Sequence, residues 1–384
     1  MSFSRALRAA PGRLHFAAHS HHLWPDASYD GHLAYWTDAA ALADRKWSKV
    51  FGEVLPEAGS HITHLLGLPD PGTIAFAPNT HDFIVRLFSC LPTDRPVRVL
   101  TTSGEFYSFE RQLKRFEESG RVEATRIPVE PYATLPSRLE EAASNGGFDL
   151  LFFSQVLFMS GFALPNLHEI IAAVPDEETL IAVDGYHSFM AFPVDFGPSA
   201  DRAFFMSAGY KYMMSGEGAG FMHCPPGYGA RPRLTGWFAA FDVLEEGYGD
   251  ATVPYSRGGG RFMGATFDAA GLYRFNAVQR WLASESITVE TIHQHVLALQ
   301  ERFLDATRGR TDLLIHEDDR MIFAPELDRA HFLTYRTPKA GNIHAQLMAQ
   351  DVITDYRNDR LRIGFGLYQT PDDVDALVNA LTVS

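Results

Sequence analysis

The stretch Phe204–Phe221, FFMSAGYKYMMSGEGAGF, decides how the rest of this chain is read. Its apolar start, Ala203–Met206, has the character of a buried strand. Ser207-Ala208-Gly209-Tyr210 then leads to Lys211, and a glycine-dense turn, Gly216-Glu217-Gly218-Ala219-Gly220, follows. The chain carries only five lysines against 28 arginines, and this one lies among apolar and small residues. Desolvation pushes such an amine toward its neutral, nucleophilic form. A neutral lysine amine recurrently forms a Schiff base with a carbonyl, that of pyridoxal phosphate included. The competing reading is a lysine that snorkels from a loop.

Composition narrows the classes. A chain of 384 residues buries a large core and is expected to form more than one domain. The net charge of −14 argues against nucleic acid or an anionic membrane surface as the main partner. No run approaches the ~20 apolar residues that span a bilayer, and the basic N-terminus lacks the apolar core of a secretion signal. Two cysteines, Cys90 and Cys224, make no disulfide framework, so reduced thiols and a cytoplasmic location are expected.

Outward from the lysine, the chain alternates strands and helices. Residues 28–66 read as helical. Thr73–Phe76 reads as a short strand leading through Ala77-Pro78-Asn79-Thr80 into an amphipathic run, His81–Cys90. Strand, small polar turn and helix N-terminus make an anion site, although Asn79 and Thr80 also serve as plain caps. Val97–Thr101 ends at Thr102-Ser103-Gly104-Glu105-Phe106-Tyr107, where an aromatic residue offers a flat surface to a planar ring or simply joins the core. Asp149–Val156 leads to Phe158-Met159-Ser160-Gly161, and Thr179–Val183 stops at Asp184-Gly185-Tyr186-His187. In open α/β sheets ligands sit at such strand ends. The fold class expected is α/β: a large domain with a mostly parallel sheet covered by helices on both faces, plus a smaller C-terminal α+β domain. No GxGxxG joins an early strand to a helix, which argues against a dinucleotide site.

The N-terminal histidines, His15, His19, His21, His22 and His32, match no helical metal-ligand motif; a loop over an active site is the reading preferred, and no metal is expected. The segment 231–268 is rich in Gly, Arg and aromatics and long enough to imply function. Residues Ala269–Ala306 read as helical, with strands near Met321–Ala324, His331–Tyr335 and Leu361–Phe365 and a helix from Pro371. The domain division expected is 1–45 as a segment packed near the active site, 46–268 as the cofactor-binding domain and 269–384 as the small domain.

In their order these motifs resemble the fold-type I pyridoxal-phosphate enzymes of the class V aminotransferase group, and most of all its kynureninase-like branch. The resemblance runs from His19-Ser20…Pro25 to Arg362. It implies that Asp184 pairs with the cofactor's pyridine nitrogen and that His187 reaches its phenolic-oxygen side. Gly209-Tyr210-Lys211-Tyr212 resembles the kynureninase Tyr-Lys, with Lys211 the Schiff-base lysine and Tyr210 near the phosphate. Asn79 and Thr80 fall where that group binds phosphate, and Phe106 is chosen over Thr102 as the ring-stacking residue. Arg261-Phe262-Met263-Gly264-Ala265-Thr266 is similar to a segment whose threonine reaches the phosphate of a neighbouring subunit, which implies a homodimer with shared active sites. Gly236-Trp237-Phe238 resembles a turn near the substrate side chain. Leu361-Arg362-Ile363-Gly364 resembles the segment whose arginine takes the substrate carboxylate; a structural ion pair of Arg362 with Asp355 or Asp359 is the alternative.

Two departures, His19-Ser20 where asparagine-serine is expected and Leu157-Phe158 where relatives carry a polar residue, put substrate identity in question. The expectation is a cofactor-dependent enzyme on a small amino acid, either kynureninase-type hydrolytic β–γ cleavage or transamination, with a catalytically silent cofactor-binding paralogue as the other class.

Overall fold

The apolar runs become strands because both faces of the sheet they form are covered. The computed structural model describes residues 2–246, 252–322 and 329–383. The N-terminal part holds α1 (Ser4–Ala9), β1 (Leu14–His15), α2 (Asp26–Leu42), α3 (Lys46–Lys49) and α4 (Leu55–Leu66). The expected helix over 28–66 is therefore broken. Ala43 adopts φ +50°, outside helical space, and a π-type turn at Val50–Val54 precedes α4.

The large sheet is built from β2 (Ile74–Ala77), β3 (Val97–Thr102), β4 (Val122–Ile127), β5 (Leu150–Ser154), β6 (Leu180–Asp184), β7 (Phe204–Ser207) and β8 (Gly220–His223). Helices α5 (Thr80–Cys90), α6 (Tyr107–Glu118), α7 (Leu135–Ser144) and α8 (Leu167–Ala172) connect them. The seven strands lie in the order β2-β8-β7-β6-β5-β3-β4. The run β7-β6-β5-β3-β4 is parallel, while β8 is antiparallel to both β7 and β2. The sheet is thus mostly parallel, as the alternation of elements requires. Every residue of β2, β5, β6, β7 and β8 is buried.

The remainder consists of α9 (Ala270–Ser284), α10 (Val289–Thr307), β9 (Phe332–Arg336), α11 (Ala340–Met348), β10 (Val352–Ile353), β11 (Asp355–Arg357), β12 (Arg360–Gly364) and α12 (Pro371–Ala380). The helical run from Ala269 divides where Ser286 takes φ +56°, and Thr288 starts α10 with a capping box shared with Thr291. No strand forms at Met321 or Ile322, and the other half of that expected strand, 323–324, lies outside the described residues. The small sheet is antiparallel, in the order β11-β12-β9.

The expected division at residue 269 does not follow the packing. Leu272, Phe275, Val278 and Leu282 of α9 belong to the core of the large sheet. Gly31 explains the closeness of α2 to α9, since a Cβ there would come within 2.7 Å of the Tyr273 carbonyl oxygen. The second core gathers α10, α11, α12 and the small sheet, and it takes in Phe16 from the N-terminal segment. That segment is tied in by the parallel pairing of β1 with β10, Leu14 opposite Val352.

Candidate active site

Parallel strands end together, so their last residues form one floor. Thr102, Ser154, Asp184 and Ser207 close β3, β5, β6 and β7, with Ser154 in register opposite Asp184 and Asp184 opposite Met206. Lys211 follows the end of β7 and is 5% exposed. Tight backbone packing holds it there. A Cβ on Gly209 would fall 2.3 Å from the Gly216 carbonyl oxygen, and Gly216 itself takes φ +70°. Arg274 of α9 donates to the carbonyls of Ser215 and Glu217 and so clamps the turn.

The Lys211 amine lies 2.9 Å from His187 Nε2, which is also 3.1 Å from the His19 carbonyl oxygen. A carbonyl only accepts, so Nε2 carries a hydrogen, and the amine facing it presents a lone pair. The electrostatics agree. Burial above all pushes the Lys211 amine down to about 7, with the Asp184 carboxylate pulling it up and the Arg362 charge pushing it further down. Burial also drives His187 well below its ordinary range, with the Lys211 and Arg362 charges adding to it. Asp184 is shifted upward by burial, against the opposing pull of the Tyr186 N–H at 2.8 Å and of Lys211. The histidine is therefore neutral at ordinary pH, and the lysine amine loses its proton near pH 7 instead of near 10.5.

Aromatic rings enclose the amine. Its Nζ lies 4.4 Å from the Tyr186 ring centre, 5.4 Å from Phe106 and 5.7 Å from Tyr210. Tyr210 and Tyr186 approach at 5.3 Å, and burial raises both phenols, so each keeps its proton at neutral pH. Asn79 caps α5, its side-chain oxygen accepting from the Asp82 N–H at 3.1 Å, and Thr80 is buried. The α5 N-terminus meets the lysine turn at Gly220, where a Cβ would stand 3.0 Å from Asn79 N.

Of the expected substrate residues, His19 is fully buried and stacks on Phe332 at 4.6 Å, with Nε2 3.7 Å from Asp355. Ser20 is half-buried and its N–H donates to the Ala17 carbonyl. Trp237 Nε1 donates to the Thr266 hydroxyl at 3.3 Å, and both residues are exposed; among the described residues neither hydrogen-bonds to the lysine cluster. Their segments meet where Phe238 N–H donates to the Gly264 carbonyl. Arg261 is buried and donates to the Gly258, Pro225 and Tyr228 carbonyls, which makes it a strut for that loop. Arg362 departs most from expectation. It reaches the floor of the site, but Nη1 donates to the Phe158 carbonyl at 2.6 Å and Nη2 pairs with Asp355. The internal ion pair, not an open carboxylate fork, is what the structure contains.

Sequence reasoning missed three residues. Glu105 is buried and receives hydrogen bonds from Thr102 at 2.5 Å and Ser154 at 2.6 Å. Tyr186 lies against the amine, and Arg357 pairs with Asp355. Tyr186 was within reach, because it stands between the two singled-out residues Asp184 and His187. Nothing local marks Glu105 or Arg357.

A model of the family described as aminotransferase class-V matches residues 29–332, and a model of the kynureninase C-terminal domain matches residues 292–381. Among curated proteins none matches the sequence. Solved structures similar to this chain include a cystine C-S lyase in complex with its product cysteine persulfide, at 16% identity and a TM-score of 0.79, covering 98% of this chain and 100% of that one. A cysteine desulfurase from Thermococcus onnurineus NA1 matches at 17% identity and a TM-score of 0.76, covering 96% and 93% of the two chains. One from Escherichia coli matches at 15% and 0.77, covering 99% and 97%. At such identities the likeness is one of fold.

Proposed function

Because this chain belongs to the aminotransferase class-V family, whose cofactor is pyridoxal phosphate, we propose that it is an enzyme acting on a small amino acid through Lys211, by kynureninase-type hydrolytic β–γ cleavage rather than transamination. The observation that carries the reading is the buried Lys211 amine, brought down to about 7, which lies 2.9 Å from His187 and on one floor with Asp184. The choice of hydrolytic cleavage rests on the kynureninase-type character of residues 292–381.

The residues fit the cofactor on their own chemistry. A neutral amine is what an aldehyde requires. The hydrogen bond described for the Asp184 carboxylate engages Oδ1, leaving Oδ2 for a ring N–H. The first amides of α5, at Asn79 and Thr80, suit a phosphate, and Gly209 and Gly220 mark close backbone approaches that a Cβ would fill. Phe106 and Tyr186 offer ring faces 5.4 Å and 4.4 Å from the Lys211 amine.

When bound, pyridoxal phosphate supplies an electron sink for carbanion chemistry. Asp184 would hold the proton on the ring nitrogen. Lys211, displaced by the incoming amine, would move the proton at the α-carbon, with His187 orienting it. Tyr210, protonated and adjacent, would supply a proton to the β-carbon, which the cleavage leaves on the amino acid as the hydrated γ-carbon departs as a carboxylic acid. The enclosing rings would keep bulk water from the amine, while hydration of a γ-carbonyl consumes one water. Sulfur transfer to a protein thiol has no support here. Cys90 ends α5 and Cys224 follows β8, both at the end of their elements away from Lys211, and burial pushes each thiol up to about 12.

The deciding experiment incubates cofactor-loaded protein with kynurenine, hydroxykynurenine and a panel of amino acids and follows products by mass. Alanine with the matching aromatic acid is expected. A keto acid instead makes the enzyme an aminotransferase, and a spectral change without any product makes it a silent binder.

A further inference from the structure

A cavity of about 370 Å³ opens where α1 meets the start of α2, beside the lysine turn and not on it. Arg5, His21, Trp24, Tyr29 and His32 line it together with apolar side chains, and among the described residues no carboxylate does. Its size is that of a small-molecule pocket. The chemistry assigned to Lys211, Asp184 and His187 makes no use of it.

The one permanent charge of this cavity is held in place with its donors spare. The Arg5 guanidinium lies over the Tyr29 ring, 3.8 Å from its centre, a stacked position that leaves the N–H edge of the fork free. Among the described residues that guanidinium makes no hydrogen bond and no ion pair. The backbone beneath it is anchored. The Arg5 N–H donates to Asp26 Oδ1 at 2.8 Å, and the Ser4 N–H and hydroxyl donate to Oδ2 at 3.1 and 2.6 Å. His32 adds a second donor: Arg274 Nη1 lies 3.0 Å from its Nδ1, an arginine only donates, and so the ring hydrogen is on Nε2.

The back wall leans on the lysine turn. Trp24 packs so closely on Gly216 that a Cβ there would fall 2.3 Å from the indole Cζ2, and the Arg274 guanidinium lies 5.1 Å from the indole. His21 has the Trp24 ring at 6.2 Å and the Tyr210 ring at 6.5 Å, and the His22 N–H donates to the Tyr210 carbonyl at 3.0 Å. Aromatic and apolar walls suit a flat ring, and a single guanidinium with no facing acid suits one carboxylate, which its fork can hold through two parallel hydrogen bonds. A cation would meet the Arg5 charge without a counter-ion.

We propose that this cavity is a second ligand site, for an aromatic monocarboxylate whose carboxylate lies on Arg5 and whose ring lies against Trp24. The aromatic acid that the proposed cleavage releases belongs to this class; that link rests on the proposed function, while the site itself does not. Bound there, the acid reaches the lysine turn only through Trp24 and His21.

The test uses cofactor-loaded protein with benzoate, and with benzamide, which keeps the shape but not the charge. Binding is read by calorimetry, folding by melting and association by sedimentation. Benzoate should bind once per chain, and benzamide about tenfold more weakly. Arg5→Gln should weaken benzoate by about tenfold or more while benzamide stays within about threefold. Ala6→Phe, which fills the cavity from α1, should weaken both. The proposal is overturned if benzoate fails to bind, if benzamide binds as tightly, or if either folded variant binds benzoate as wild type does. It is overturned equally if Arg5→Gln breaks up an oligomer and benzoate affinity follows only the association state, for the face is then an interface between copies of this chain. Benzoate binding as expected, in a protein that releases no aromatic acid from kynurenine, refutes the cleavage reading and leaves the site standing.

Discussion

Glu105→Gln separates burial from hydrogen bonding at the floor of the site. Glu105 lies just past β3 and accepts from the Thr102 and Ser154 hydroxyls. Burial raises its carboxyl from 4.5 to about 7, against the pull of those two hydroxyls, and the Asp184 charge adds to the rise. A carboxyl raised on folding is protonated in the native protein while the unfolded chain is already ionised. Its stabilising contribution is complete below about 4.5 and is lost as pH climbs to about 7. At 1.36 kcal/mol per tenfold change in proton affinity the loss is about 3 kcal/mol. Glutamine keeps the shape and can still meet both hydroxyls, but it does not ionise. The variant should therefore gain on wild type by about 3 kcal/mol between pH 4.5 and pH 7, with no further change above. In a chain of this size that corresponds to about 4 °C in melting midpoint. The assay is a melting series of both proteins at pH 5, 6, 7 and 8, at equal cofactor loading. A constant difference across the series, of either sign, would refute the claim that Glu105 enters the fold protonated.

Three further outcomes are expected. Borohydride reduction should place a pyridoxyl mass on the Lys211 peptide and not on those of Lys46, Lys49, Lys114 or Lys339. In cofactor-free protein the aldehyde reactivity of Lys211 should rise through pH 7, its amine being held near that value instead of 10.5, and stability should rise between those two values because the unfolded chain binds the proton more tightly. Asp184→Asn should retain cofactor but lose most turnover, checked by absorbance and product yield together; near wild-type turnover at full occupancy removes the electron-sink argument. Trp237 and Thr266, exposed and joined to each other, should become protected from labelling in an active homodimer, and sedimentation of an active monomer at assay concentration would count against shared sites.

The sequence by itself determined the alternation of strands and helices, because it is written in local runs, and it singled out Lys211, whose burial over the snorkelling alternative the fold then decided. Unbroken apolar runs of four or five residues ask for a sheet covered on both faces, as β2, β5, β6 and β7 are. Asp184 was legible in its place, since the end of an apolar strand fixes which residue stands on the floor of a parallel sheet, while His187 was singled out by the family resemblance. What the tertiary structure alone decided was which charges meet. Asp355 neutralises Arg362 because the turn between β11 and β12 sets a register that puts them opposite, and a slip by one residue would send both to other faces. Glu105 is raised to about 7 because the fold buries it between the ends of β3 and β5, beside an Asp184 contributed by a third strand, against the pull of the Ser154 and Thr102 hydroxyls. The assignment of α9 to the large core was likewise invisible, for its helical periodicity names an apolar face but not the surface that covers it. Local pattern sets what a residue is able to do. Register and burial set what it is left free to do, and here they bring the Lys211 amine down to about 7 and turn Arg362 inward to Asp355.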